Sequence, residues 1–188
     1  VTLLNATKVS GRNNNGLGIG VFNAVTDNMY ARIKDSVGHT RRFITEPLTN
    51  YNIIVFDQQL KNSSNVYLIN TNVLRSKKGN DANVTGTGAT FYTKSRMWAT
   101  DITGALSQKY KANDSIEGVY ENVMGYRYFV GARKANGWFQ YGLSHTTISK
   151  TYDSRDMGYQ VNGNMMRERV YVIMNFFKPN KVFIESYN

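Results

Sequence analysis

The chain has 188 residues and a formal net charge of +10, with 13 Tyr, 9 Phe and 16 Gly but only 2 Pro and no Cys. The lack of Cys excludes disulfides and thiolate metal sites, and with only His39 and His145 a multi-histidine metal centre has too few ligands. The basic residues are dispersed along the chain, which favours scattered solvated charge over a nucleic-acid interface.

The order of apolar and polar residues predicts an all-β fold. Side chains alternate with a period of two between turn signals in about ten segments, several longer than the ~5 to 6 residues of a typical strand. No apolar run approaches the ~18 residues of a membrane helix. The predicted strands are 2–12, 16–26, 50–60, 65–75, 82–92, 98–110, 125–134, 138–148, 164–178 and 182–188.

The predicted strand 98–110 shows the alternation best, because its two faces differ in chemistry. One face carries Trp98, Ile102 and Leu106, whereas the other carries Asp101, Thr103, Ser107 and Lys109. The strand 164–178 has one apolar face and one mixed face, and the pattern in 65–75 is only partial. Weak signals from single strands are typical of membrane β-barrels.

The connections between the predicted strands alternate in length. Short turns are predicted near 13–16, 61–65, 93–97, 135–137 and 179–181, and longer loops near 27–49, 75–81, 111–124 and 149–163. Outer-membrane barrels have short periplasmic turns and longer extracellular loops, so the alternation favours an antiparallel up-and-down meander within such a barrel. With short turns in the periplasm, both chain ends lie outside the cell. We therefore expect residues 1–188 to be an interior barrel segment, with strands missing at both ends.

Several motifs give the chain a resemblance to a known family. They are Lys8 to Arg12, Gly16 to Thr26, Thr45 to Tyr51, Ile69 to Val73, Tyr152-Asp153 and Asp156 to Tyr159. In these the chain resembles the C-terminal barrel domain that follows a carbohydrate-binding-family-9-like domain in large Bacteroidota outer-membrane proteins. The resemblance implies an outer-membrane domain of a longer protein and supplies no catalytic residue.

Candidate chemistry in the sequence is sparse. The run Gly16 to Gly20 precedes a strand and not a helix, so its glycines are interpreted as small residues that let a strand curve or admit a bulky neighbour, rather than as a phosphate loop. The densest charged group, Asp153, Arg155 and Asp156, is either a solvated turn with a local ion pair or a loop contact for a cation or glycan. His145 is predicted to face a lumen or the core. No nucleophile and base can be paired, so we expect no enzyme activity and no cofactor.

Aromatic residues near the strand ends form the other candidate site. They are Trp98, Tyr126, Tyr128, Trp138, Phe139 and Tyr141. Amphipathic rings at headgroup level form the girdle of an outer-membrane barrel, and exposed rings also stack on sugars. The girdle is the favoured interpretation.

Two functions from different classes follow from these patterns. The first is a non-enzymatic segment of a bacterial outer-membrane β-barrel, which acts as a channel, anchor or scaffold in a glycan-handling or secretion complex. Its expected partners are outer-membrane lipid, the remaining strands of the parent protein, and other outer-membrane proteins or glycans, but no nucleic acid. The alternative is a soluble extracellular all-β glycan-binding module.

Overall fold

The computed structural model describes residues 2–76, 80–112, 120–158, 160 and 163–176. Within these residues the chain forms eleven strands and one short 3₁₀ turn, Lys61–Ser63. The strands are β1 (Leu3–Arg12), β2 (Leu17–Thr26), β3 (Met29–Lys34), β4 (Thr40–Glu46), β5 (Thr49–Gln59), β6 (Asn65–Arg75), β7 (Asp81–Tyr92), β8 (Trp98–Ala112), β9 (Tyr120–Lys134), β10 (Phe139–Ile148) and β11 (Met165–Met174).

Nine of these strands form one antiparallel sheet in the order β1-β2-β5-β6-β7-β8-β9-β10-β11. Each strand pairs with the next one along the sheet, and β8 and β9 are the longest at 15 residues each. The predicted antiparallel meander is therefore confirmed. The sheet is open, with β1 and β11 as its edges. The predicted strand 182–188 lies outside the described residues.

A hairpin of β3 and β4 occupies the segment 27–49, which the sequence pattern predicts to be a loop. Its turn follows from local chemistry: the carboxylate of Asp35 accepts hydrogen bonds from the backbone amides of Val37 and His39, and Gly38 adopts φ +96°. Because the hairpin is rich in basic side chains, its alternation is hard to see in the sequence. It forms a separate two-stranded sheet.

The connections alternate less strictly in length than predicted. Short connections run from β1 to β2, β5 to β6, β7 to β8 and β9 to β10. They lie at one end of the strands, which we call the turn end. At the opposite end of the strands, which we call the loop end, β8 and β9 extend into the predicted loop 111–124, and only residues 76–80 separate β6 from β7. The long connections are 27–48 and 149–164.

The two faces of the sheet differ in chemistry. The register of the strand pairs places Ile54, Leu68, Ile102, Val130 and Val170 on one side, which we call the apolar face. The other side, the polar face, carries Arg12, Asp57, Asp101, Lys109 and Arg133. The opposite faces predicted for 98–110 are thus confirmed.

In the described part of the chain, the polar face of β6 to β9 is covered by another segment. Residues 149–158, which we call the docked segment, fold back from the end of β10 over this face. Tyr152 of the docked segment is buried, as are Val73, Ala82 and Ser107 on the strands beneath it. No helix among the described residues has the length and apolarity to cross a membrane.

Candidate functional site

Five charged side chains form a cluster between the docked segment and the polar face. Lys109 of β8 places its Nζ 2.7 Å from Asp153 Oδ2 and 2.8 Å from Asp156 Oδ2. Arg75 of β6 donates to Asp156 Oδ1 at 2.6 Å, and Arg155 donates to both carboxylate oxygens of Asp153 at 2.9 and 2.6 Å. This ion-pair cluster joins a loop that begins at β10 to a strand four positions away, about 19 Å across the sheet.

Backbone fit at β9 allows the docked segment to approach closely. A Cβ atom on Gly125 would lie 2.2 Å from the amide nitrogen of Tyr152 and 2.3 Å from its Cα, so only glycine leaves room there. The amide of Asp153 donates to Ser107 Oγ at 3.0 Å, and the amide of Ser154 donates to Gln160 Oε1 at 3.0 Å. The segment is therefore held by its backbone as well as by its charges.

The ion pairs change the acidity of the loop carboxylates. Hydrogen bonds from Arg155 and then Lys109 hold the pKa of Asp153 far below its usual range, although partial burial opposes this. For Asp156, burial alone would raise the pKa, but hydrogen bonds from Lys109 and Arg75 outweigh it and lower the pKa. Both carboxylates are thus ionised at neutral pH, and the cluster is fully charged.

The charged group Asp153, Arg155 and Asp156 was singled out in the sequence by its density, and the structure shows what it contacts. Arg155 is an exposed neighbour of Asp153, whereas the two carboxylates face Lys109 and Arg75 on distant strands. The sequence pattern places Lys109 on the polar side of its strand, but it does not predict that either cation meets these carboxylates, because the contacts depend on strand register. Among the described residues, no group of three His, Asp or Glu side chains could hold a metal ion.

A second set of ion pairs lies on the polar face near the turn end. Arg133 of β9 pairs with Asp101 of β8 and donates to Tyr92 Oη at 3.0 Å. Arg12 donates to Asp57 Oδ1 at 2.6 Å, directly over Gly18. A Cβ at Gly18 would lie 2.1 Å from that same Oδ1, which confirms that this glycine makes room for a bulky neighbour.

The predicted aromatic residues form two separate clusters on the apolar face. The turn-end aromatic cluster contains Trp98, Trp138, Phe139 and Tyr141, with ring centroids 5.6 to 5.8 Å apart. The loop-end aromatic cluster contains Tyr126, Tyr128 and His145, in which Tyr128 stacks on His145 at 5.4 Å and on Tyr126 at 6.4 Å. The rings thus lie at two positions along the strands and do not form one continuous aromatic surface.

His145 lies on the apolar face and is half-buried, so it is not a core residue. Its Nδ1 is 2.5 Å from Glu168 Oε1 of β11, and its Nε2 is 2.7 Å from Thr147 Oγ1 and 3.2 Å from Tyr128 Oη. Glu168 comes 23 residues later in the chain, and only strand pairing brings it opposite His145.

Amide side chains form a polar line on the apolar face towards the loop end. Asn23 donates to both Asn50 and Asn52, at 2.6 and 2.8 Å. On the neighbouring strands Asn70 donates to Asn83 at 2.9 Å, and Asn83 donates to Gln108 at 3.2 Å. These amides satisfy one another across strands, and the line they form interrupts the apolar surface of β2, β5, β6 and β7.

Fold and site together define an open antiparallel meander with one apolar and one polar face, the latter covered by an ion-paired segment. The chain belongs to the family described as a domain of unknown function, DUF5916, which matches residues 1–188. No curated protein matches the chain, and no solved structure does so either.

Proposed function

We propose that the chain is a non-enzymatic segment of an outer-membrane β-barrel, with its apolar face towards lipid and its polar face towards the lumen. One observation carries the proposal: the apolar face is exposed, whereas the charged side chains and the docked segment lie on the other face. Leu143 is 63% exposed and Val170, opposite it, is 81% exposed. Soluble monomers rarely expose such a continuous apolar surface, whereas lipid requires it.

The spacing of the two aromatic clusters supports a membrane span. Lys134 lies opposite both Trp98 and Tyr141, and Tyr126 lies eight residues earlier on β9. Eight residues cover about 27 Å along a strand, or about 20 Å along a barrel axis at a tilt of ~40°. This approaches the ~25 Å apolar band between the two girdles of a bacterial barrel.

The unpaired edge strands of the sheet indicate which partners it needs in a membrane. In lipid, the unpaired backbone groups of β1 and β11 would each be left without hydrogen bonds. We assign the edges to further strands of the same parent protein, with outer-membrane lipid around them. The resemblance in sequence supports a Bacteroidota outer membrane and a glycan-handling or secretion complex, in which the segment acts as channel, anchor or scaffold.

A matched pair of substitutions on β9 tests the proposal. Val130 lies on the apolar face and Val123 on the polar face of the same strand. In the intact protein reconstituted in phosphatidylcholine vesicles, Val130→Arg should lower the free energy of unfolding by about 2–4 kcal/mol, because the charge enters the apolar band. Val123→Arg should change it far less, because it would face the lumen.

Equal effects of the two arginines in urea titrations would contradict the orientation of the sheet. Recovery of the intact protein in the soluble fraction after a mild salt wash, without detergent, would contradict the membrane assignment altogether.

The aromatic residues separate this function from a soluble glycan-binding module. Trp98→Ala with Trp138→Ala should ease extraction from membranes, whereas a soluble glycan-binding module would instead lose binding to a glycan array.

A further inference from the structure

A pocket of about 370 Å³ lies between the docked segment and the polar face of β6 to β9. The strands contribute Tyr67, Ile69, Val84 and Arg127 to its wall, and the docked segment contributes Tyr152 and Met157. Small residues on the strands, Gly86 and Ala105, leave the space open. The volume lies within the range of small-molecule sites.

The walls of the pocket are mainly apolar and partly rigid. The ring of Tyr67 lies over Gly88, where a Cβ would come within 2.6 Å of it, so the strand backbone fixes the position of the ring. Tyr152 is buried at 7% exposure and forms part of the opposite wall. Thr71, Thr103 and Ser154 add hydroxyl groups to the lining.

Arg127 is the charged residue of this lining, and it has no counter-ion in the described part of the chain. The nearby carboxylates are already engaged: Asp153 is held by Lys109 and Arg155, and Asp156 by Lys109 and Arg75. A guanidinium cannot be deprotonated in a protein and presents a planar set of donors that matches a carboxylate. The pocket thus combines apolar walls with one unpaired cation.

From this combination we infer that the pocket binds a small organic anion, a carboxylate carried on an apolar ring. The carboxylate would accept hydrogen bonds from Arg127, and the ring would lie between Tyr67 and Met157. The site is formed by the sheet and the docked segment alone, so it goes beyond the membrane function and does not rest on it.

Benzoate, benzamide and benzamidine provide a matched series of probes, because they share a ring and differ in charge. Titration of the detergent-solubilised full chain by calorimetry should show that benzoate binds at least about tenfold more tightly than benzamide, and that benzamidine does not bind. With methyl-labelled methionine, benzoate should shift the resonance of Met157 and leave Met166, on the apolar face, unchanged.

Three variants separate the pocket from general positive charge. Arg127→Gln should weaken benzoate binding to the level of benzamide, and Ala105→Leu should abolish binding of both by filling the space. Lys8→Gln removes another cation of the polar face, on β1 and away from the pocket, and should leave benzoate binding unchanged. Circular dichroism checks that each variant retains its strands.

Two affinity measurements would overturn the inference. One is equal affinity for the anionic and the cationic probe. The other is an equal loss of benzoate affinity in the Arg127 and Lys8 variants, which would show attraction by net charge without a site. If Ala105→Leu misfolds, the Met157 resonance of the unsubstituted chain still tests the inference. A benzoate titration that does not change the chemical shift of Met157 would exclude binding in this pocket.

Discussion

Replacement of Lys109 by methionine should release the docked segment while the sheet stays intact. Lys109 is the one side chain that contacts both Asp153 and Asp156 in the ion-pair cluster. Methionine keeps the length of the apolar stem, with sulfur in place of Cδ, and lacks the ammonium group, so lost packing contributes little. The two carboxylates keep their arginine partners.

The size of the effect follows from burial. The side chains of Lys109, Asp153 and Asp156 are 21%, 16% and 19% exposed, so their contacts are much drier than surface ion pairs, which contribute only about 0–1 kcal/mol. A hydrogen bond to a charged group contributes about 1.5–3 kcal/mol net. Since Arg75 and Arg155 keep the carboxylates partly compensated, we expect a loss of about 2–3 kcal/mol of docking free energy, not the sum of two such bonds.

Hydrogen exchange measures this docking directly. The amide of Asp153, bonded to Ser107 Oγ, should exchange about 30 to 150 times faster in Lys109→Met when reclosing outpaces exchange. Lys111→Met is the matched control, because Lys111 lies two residues further along the same face and forms no ion pair in the described residues. Unchanged protection at Asp153 in the Lys109 variant, or equal loss in both variants, would refute the electrostatic account.

Two further predictions concern the same segment. Gly125→Ala should undock the segment, because the new Cβ would lie 2.2 Å from the backbone of Tyr152. In the control Gly104→Ala, on the neighbouring strand, the new Cβ has no atom within 4 Å, so amide exchange at Asp153 should be unaltered. Equal exchange in the two alanine variants would contradict the close contact between Gly125 and Tyr152. Because the ion pairs lower the pKa of Asp153 and Asp156, their contribution to docking is present above pH ~4 and is lost as the pH falls through the lowered values. Exchange corrected for intrinsic rates should therefore be the same at pH 7 and pH 5 and faster at pH 3, and a loss of protection between pH 7 and pH 5 would be inconsistent with these shifts.

The sheet was predictable because a period of two is a local signal. In β8 every second residue changes chemistry, so Ile102 and Lys109 could be assigned to opposite faces before any partner strand was known. The pattern in β6 was blurred for a reason that only the structure reveals. Asn70 belongs to the amide line on the apolar face, while Ile69 and Val73 lie on the polar face, near or beneath the docked segment.

The candidate site was predictable only in part, because its contacts join distant positions. Lys109 and Asp153 are 44 residues apart, and Arg75 and Asp156 are 81 apart. Such pairs depend on the register of several strands and on the path of the docked segment. A sequence pattern predicts neither the register nor the path. The same holds for Gly125, which looks like any strand glycine until Tyr152 is placed against it.

The position of the docked segment bears on the proposal that the apolar face lies against lipid. A soluble sandwich would cover its apolar face with a second layer, since this burial drives folding. In the described part of the chain, the segment that folds back onto the sheet covers the polar face instead, and it is held there by Lys109 and Arg75. The apolar face keeps Leu143 and Val170 exposed. A covering layer placed over charges is expected where the apolar face already has lipid as its solvent and the polar face borders water, as in the lumen of a barrel.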